Sequence, residues 1–314
     1  MANKLLPIFE AAREAVGFRH FHDAAGEIRA TTKKPAASVG HLSVRAIDLT
    51  PVVGLNSGSQ LSDPLRIKAG HVLPLNTAII EGSRVAQAGA TVFVVPTATQ
   101  AVTTGVTEDG QVPVIGMYER PSSYTVTNPA PFAVVPDGSE VADSALPLVR
   151  DQLSVDNFPA VGVRFVISRQ DAKLYGEGVL SDAALVSIAL GLANAADACL
   201  LSALAAADLP AFSLAAAAAK GLRFNELRAI AGTAAAGAQV GADGVLRVAG
   251  VQAELTNQTA ASIVGSYQRA AVAISDDLNV LAERRNTQGD LIVTCWANMA
   301  ALTPDLSAFW KVSP

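Results

Sequence analysis

The segment 181–207, SDAALVSIALGLANAADACLLSALAAA, limits what this chain can fold into more than any other stretch. Leu185, Ile188, Leu192, Ala196, Cys199 and Ala203 recur at the helical period. Ser181 suits the N-cap, and Asp182 sits where the helix dipole favours an anion. At 1.5 Å per residue such a helix is about 40 Å long. It is either a membrane span or the rod of a layer that other elements cover. Ser187, Asn194 and Asp197 interrupt the apolar surface, and a charge at the bilayer centre is costly, so the expectation is a one-sided helix with no membrane role.

Composition says what can pack on that rod. Of the 314 residues 50% are hydrophobic but only 5% aromatic, so the apolar mass is Ala and Val, suited to thin layers and close helix contacts. The length allows one large domain or two to three smaller ones. Charged residues make up 16% and the net charge is −5, which argues against a strongly basic nucleic-acid reader but not against a protein that encloses nucleic acid. The N-terminus lacks the pattern of a secretory signal. Cys199 and Cys295 lie far apart without CxxC spacing and read as buried, reduced thiols of a cytoplasmic product.

Along the chain, 3–16 has helical spacing and 35–95 is β-rich and irregular, with a helix over 75–90 ending near Gly89. An extended piece from Thr91 breaks at Pro96 and resumes. Residues 118–163 hold six prolines among short extended pieces and turns. Proline removes backbone donors, so this cannot be a central strand; it reads as a loop that leaves the body and packs on something else. VRFVISRQ (163–170) reads as a strand, 222–235 as a helix, and the glycine-containing stretch after it as a flexible loop. Leu278, Val280 and Ala282 alternate with polar residues, as do Leu291, Val293 and Cys295, which predicts a hairpin turning at Gly289. The last stretch predicts a turn and a short aromatic strand.

No constellation in the sequence carries chemistry. His20, His22 and Asp23 could begin a zinc site, but three or four ligands are needed and none lies nearby. Glu108-Asp109 and Asp276-Asp277 are adjacent pairs that point to opposite faces of a strand. There is no phosphate loop and no G-x-S-x-G elbow, and all four histidines fall within the first 71 residues, leaving Ser122 and Ser123 without a base nearby in sequence. The expectation is no enzyme, no metal and no cofactor.

The order of elements is itself informative. A long N-terminal region is followed by the proline-rich loop APFAVVPDGSEVADSALPLVRDQLSVDNFPAVG, a strand ending in Ser168-Arg169-Gln170 and the long helix. A small α/β segment and a terminal hairpin with a late Ala308-Phe309 follow. From about residue 129 onward this order resembles the major capsid proteins of tailed bacteriophages, the HK97-type shell fold. The resemblance implies an α+β chain with an N-terminal arm and extension (1–128), an extended projecting loop (129–165), a peripheral domain with its spine helix (166–212), a compact axial domain (213–264), and returning peripheral strands with a C-terminal strand (265–314). It implies self-assembly as hexamers and pentamers into an icosahedral shell around double-stranded DNA held without sequence specificity. Portal, scaffold, protease or decoration proteins would be further partners. The place would be the virion capsid, assembled in the bacterial cytoplasm.

Some relatives cross-link a loop lysine to an asparagine. Residues 129–165 contain no lysine, so stability is expected to rest on non-covalent contacts. Arg150, Asp151 and Asp156 are candidates for pairing between subunits, and Arg169, Arg284 and Arg285 join them. The mildly basic first 34 residues could face DNA or simply be solvated. Two other readings remain: an encapsulin-like nanocompartment of the same fold, and a soluble α/β enzyme with an unrecognised site.

Overall fold

The computed structural model describes residues 6, 18–22, 28–33, 41–45, 52–53, 72–95, 101–106, 113–117, 123–137, 140–154, 158–275, 278–284 and 289–312. The class is α+β, and the chain divides into two compact units, each made of three separate pieces.

The first unit comprises 1–83, 158–196 and 274–299. Its central strand, Leu291–Leu302, pairs antiparallel with Asn279–Arg284 along one edge and with Ala160–Ile167 along the other. His41–Arg45 extends the sheet beyond Asn279–Arg284. The expected hairpin is present, with Val280 opposite Cys295 and Ala282 opposite Val293. Val280, Ala282, Leu291, Val293 and Cys295 are all buried, the outcome of two-residue alternation against one covered face. Gly289 has a φ of 95° in the turn, a conformation that side chains disfavour.

The Ser-Arg-Gln stretch does not continue the strand. The strand stops at Ile167, and Ser168 caps a helix at Arg169–Tyr175. The Ser168 hydroxyl oxygen accepts from the Asp171 N–H at 3.0 Å while its O–H donates to the Asp171 carboxylate at 2.6 Å, a reciprocal cap. Gly176, at a φ of 86°, ends that helix, and the long helix starts at once at Glu177 and runs to Ala206. Ser181 is therefore not an N-cap; it is buried within the helix and donates to the Gly178 carbonyl at 2.8 Å. The helix is long and apolar enough to cross a membrane, and 61% of its most apolar window is buried inside the protein. In the first unit Leu185, Ile188, Ala189, Leu192, Ala193 and Ala196 form its covered face.

The second unit comprises 84–157, 197–273 and 300–314. Its six-stranded sheet has the order Ala238–Val240, Leu246–Val248, Val251–Leu255, Arg228–Ala231, Ser262–Gly265, Phe309–Val312. Only the Arg228–Ala231 pairing with Val251–Leu255 is parallel. The helix expected over 222–235 is a correction. A 3-10 turn at Phe224–Glu226 leads into the strand Arg228–Ala231, whose Ala229, Ile230 and Ala231 are all buried. A strand covered on both faces shows no alternation, so its sequence cannot be told from a short buried helix. The stretch expected to be a flexible loop forms the Ala238–Val240 and Leu246–Val248 hairpin. Asp243 closes its turn through two bonds from the Arg247 guanidinium, at 2.8 and 2.6 Å. That guanidinium holds the exposed Asp243 carboxyl well below the usual range.

The predicted aromatic strand completes this unit's core. Gly265 lies opposite Phe309, and a Cβ on Gly265 would overlap the Phe309 ring. Tyr267 meets the same ring edge-on, with centroids 5.5 Å apart. Both are fully buried, and burial, with the charge of Asp197 as a lesser cause, pushes the Tyr267 phenol far above its ordinary range. On the long helix Leu200, Leu201 and Leu204 are buried in this unit, whereas Cys199 and Ala203 are only partly covered. The helix expected over 75–90 is two helices, Leu75–Gly82 and Arg84–Gln87. In the second unit the fully buried Asp197 carboxylate accepts from the N–H groups of Arg84 at 2.9 Å and Val85 at 3.0 Å, capping the second of these helices.

Candidate interaction surface

Proline at 129, 131, 136 and 147 denies this stretch the donors a sheet needs. The chain accordingly pairs only where those prolines are absent. Ser123–Thr127 and Leu148–Gln152 form an antiparallel two-stranded base, and an arm of residues 128–147 runs out and back between them. The paired base ends at Gln152, and Ala160–Ile167, within the loop expected over 129–165, is a sheet strand of the first unit.

Every described residue from 129 to 146 is exposed. Phe132 is 99% exposed, Val134 96%, Val141 76% and Leu146 73%. Single exposed apolar residues are ordinary, but a run of this kind on one arm marks a surface that something covers. The strip PAPFAVVP (129–136) carries no charge.

The base is fastened to its own unit through both strands. On the outgoing side the Tyr124 hydroxyl donates to the Gln268 carbonyl at 3.3 Å, and the Arg269 guanidinium donates to the Asn128 side-chain oxygen. The same guanidinium nitrogen pairs with Asp305 at 2.8 Å, with the two side chains 16% and 14% exposed. On the returning side the Thr303 N–H donates to the Asp151 carboxylate at 2.8 Å.

The predicted contact residues fall at two places. Arg150 and Asp151 are neighbours on the returning strand of the arm's base, Arg150 exposed and Asp151 bonded to Thr303. Arg169 and Arg284 gather in the first unit at the turn end of its hairpin. The Arg169 N–H donates to Asp290 at 2.9 Å, and Arg284 lies opposite Leu291. Asp156 and Arg285 lie outside the described residues. His20 and His22 lie on the strand Phe18–His22, Asp23 outside the described residues, and no metal-ligating cluster of three occurs among the described residues.

Sequence reasoning missed Tyr124, Asn128, Arg269 and Asp305. They are far apart in the chain, and none belongs to a local pattern. The long helix offers a second unusual surface. Ser187, Gly191 and Asn194 are its exposed positions in the first unit, and from Ala183 to Ala206 its one charged residue is the buried Asp197. A solvated helix face normally carries charges. An apolar cleft of about 200 Å³ runs there between Ser187, Gly191 and Ala195 of the helix and Val161, Val163 and Phe165 of the edge strand. It contains no ionisable group except Cys295, whose thiol burial pushes up to about 11. Burial also raises the Cys199 thiol.

No family model matches the chain, and no curated protein matches it. Among solved structures it is similar to the capsid of an empty GTA particle, at 13% identity and a TM-score of 0.42, over 73% of this chain and 89% of that one. It is similar to the procapsid of satellite phage P4, which includes the size determination (Sid) protein, at 11% identity and a TM-score of 0.44, over 75% and 96%. A virus-like particle from Pyrococcus furiosus matches at 10% identity and a TM-score of 0.40, over 76% and 98%.

Proposed function

We propose that this chain is the building block of a phage-type HK97-like capsid, a closed icosahedral shell made of its own copies as hexamers and pentamers and enclosing double-stranded DNA. Its role is structural rather than catalytic, its contacts are non-covalent, and its place is the virion, after assembly in the bacterial cytoplasm. The observation that carries this reading is the arm. An uncharged strip whose Phe132 is 99% exposed has no use in a solitary chain and needs a cover. The uncharged outer face of the long helix supports the same conclusion from another element.

A second copy is the cover proposed, because one surface repeated by symmetry satisfies every copy at once. The test is light scattering with electron microscopy of the purified full chain. Closed particles, or six- and five-membered rings, are the expected result, and nucleic acid in the particles separates a phage head from an encapsulin-like shell. A monodisperse monomer or dimer at all salt and pH conditions overturns the reading.

A further inference from the structure

The foot of the arm, rather than its tip, is where it joins its own unit. Five side chains from distant parts of the second unit make contacts there. Arg269 reaches Asn128, the first residue of the arm beyond the outgoing strand, and pairs with Asp305. Asp151, on the returning strand, takes the N–H of Thr303, two residues before Asp305. Tyr124 reaches the carbonyl of Gln268, beside Arg269. The outgoing side of the base is therefore held by 268–269 and the returning strand by Thr303, and the Arg269–Asp305 pair joins those two segments.

We infer that Arg269, fixed by Asp305, is a positioning residue that sets the direction in which the arm leaves its unit, and that this direction determines whether copies close into shells of one size. The inference rests on the shell reading. The base has only five paired residues per strand and an otherwise solvated excursion beyond it. A two-stranded ribbon of that kind is marginal alone and takes its direction from whatever holds its foot. The Arg269–Asp305 pair is largely withdrawn from water, so salt screens it weakly. Its guanidinium is planar with fixed donor directions, so the link to Asn128 is directional. A surface whose copies must meet at fixed angles closes when those angles are reproducible and otherwise gives open or mixed assemblies.

The test compares two double variants of the full chain. Asn128→Ala with Asp151→Ala removes both acceptors at the foot while leaving Arg269–Asp305 intact. Asn128→Asp with Asp151→Asn keeps an acceptor at each position. In the first, hydrogen exchange of the amides in 123–127 and 148–152 is expected to rise tenfold or more, with the rest of the second unit unchanged. Its particles should spread in diameter under electron microscopy. The acceptor-keeping variant should match wild type in both readouts. Unchanged exchange in the alanine variant overturns the clamp, as does an acceptor-keeping variant that behaves like it. Faster exchange with wild-type, uniform particles overturns the role in closure. If the wild-type chain forms no particles, the shell reading falls, and the exchange comparison alone decides whether the clamp holds the arm.

Discussion

Asp197 shows how much one residue can set in a chain of small side chains. It is the only charge on the long helix after Asp182, it is fully buried, and its two carboxylate oxygens satisfy the Arg84 and Val85 N–H groups. Those donors begin a four-residue helix, and the first N–H groups of a helix have no intrahelical partner. Replacing Asp197 by Ala leaves them unpaired, at a cost of about 2–4 kcal/mol, and Asn, keeping one acceptor, should lose roughly half of that. Urea unfolding of the unassembled subunit measures both. Cys295 makes a pH prediction. Its buried thiol is pushed up to about 11, above the unfolded value of about 8.5. Between those values the unfolded chain releases a proton that the folded one retains, so stability falls as pH rises. The Cys295→Ala variant should lack that part of the decline between about pH 8.5 and 11, and chemical unfolding across that range tests it.

At the scale of elements, the long helix makes a sharper prediction. Gly191 lies in its interior, lines the apolar cleft, and apart from its chain neighbours and its own helix's backbone has nothing within 4 Å of where a Cβ would sit. Glycine in a helix costs about 1 kcal/mol relative to alanine. Gly191→Ala should therefore stabilise the unassembled subunit by about that amount, seen as a higher urea midpoint with an unchanged slope. If a second copy approaches the helix closely at this point, the same change should weaken assembly, read by light scattering. The hairpin 279–302 was legible because alternation in both strands and a turn glycine agree. The long helix was legible from its period, but its start was not. Ser181 has the composition of a cap, whereas the real boundary is set by Gly176 and by the Ser168–Asp171 cap of the preceding helix. The strand at 228–231 was misread because burial on both faces erases periodicity. The arm was legible through its prolines. Its foot was not, since Asn128, Arg269 and Asp305 become a unit only once the sheet brings them together.

At the scale of the whole molecule, the question is why a chain would carry an uncovered arm at all. Burying a side chain such as Phe or Val contributes about 1.5–3 kcal/mol, so Phe132, Val134, Val141 and Leu146 together offer on the order of 6–12 kcal/mol per copy. Association of two bodies costs about 4–15 kcal/mol in lost freedom and ordering, so one such contact alone is close to break-even. Two chains would then scarcely hold each other, while a closed arrangement in which each copy gives and receives an arm gains one contact per copy and becomes stable as a set. Assembly of this kind is sharp in concentration. Phe132 isolates the effect, because at 99% exposure it contributes nothing to the fold of its own chain. Phe132→Ala should leave subunit unfolding unchanged within about 0.5 kcal/mol, as surface substitutions do. If Phe132 contributes about 2 kcal/mol to each contact, the concentration at which particles form should rise about 30-fold. Light scattering over a dilution series of both proteins, beside urea unfolding of each, makes the measurement. Equal assembly thresholds would mean that the arm's apolar side chains are not what joins the copies. A matching loss of subunit stability would mean that the arm packs on its own chain.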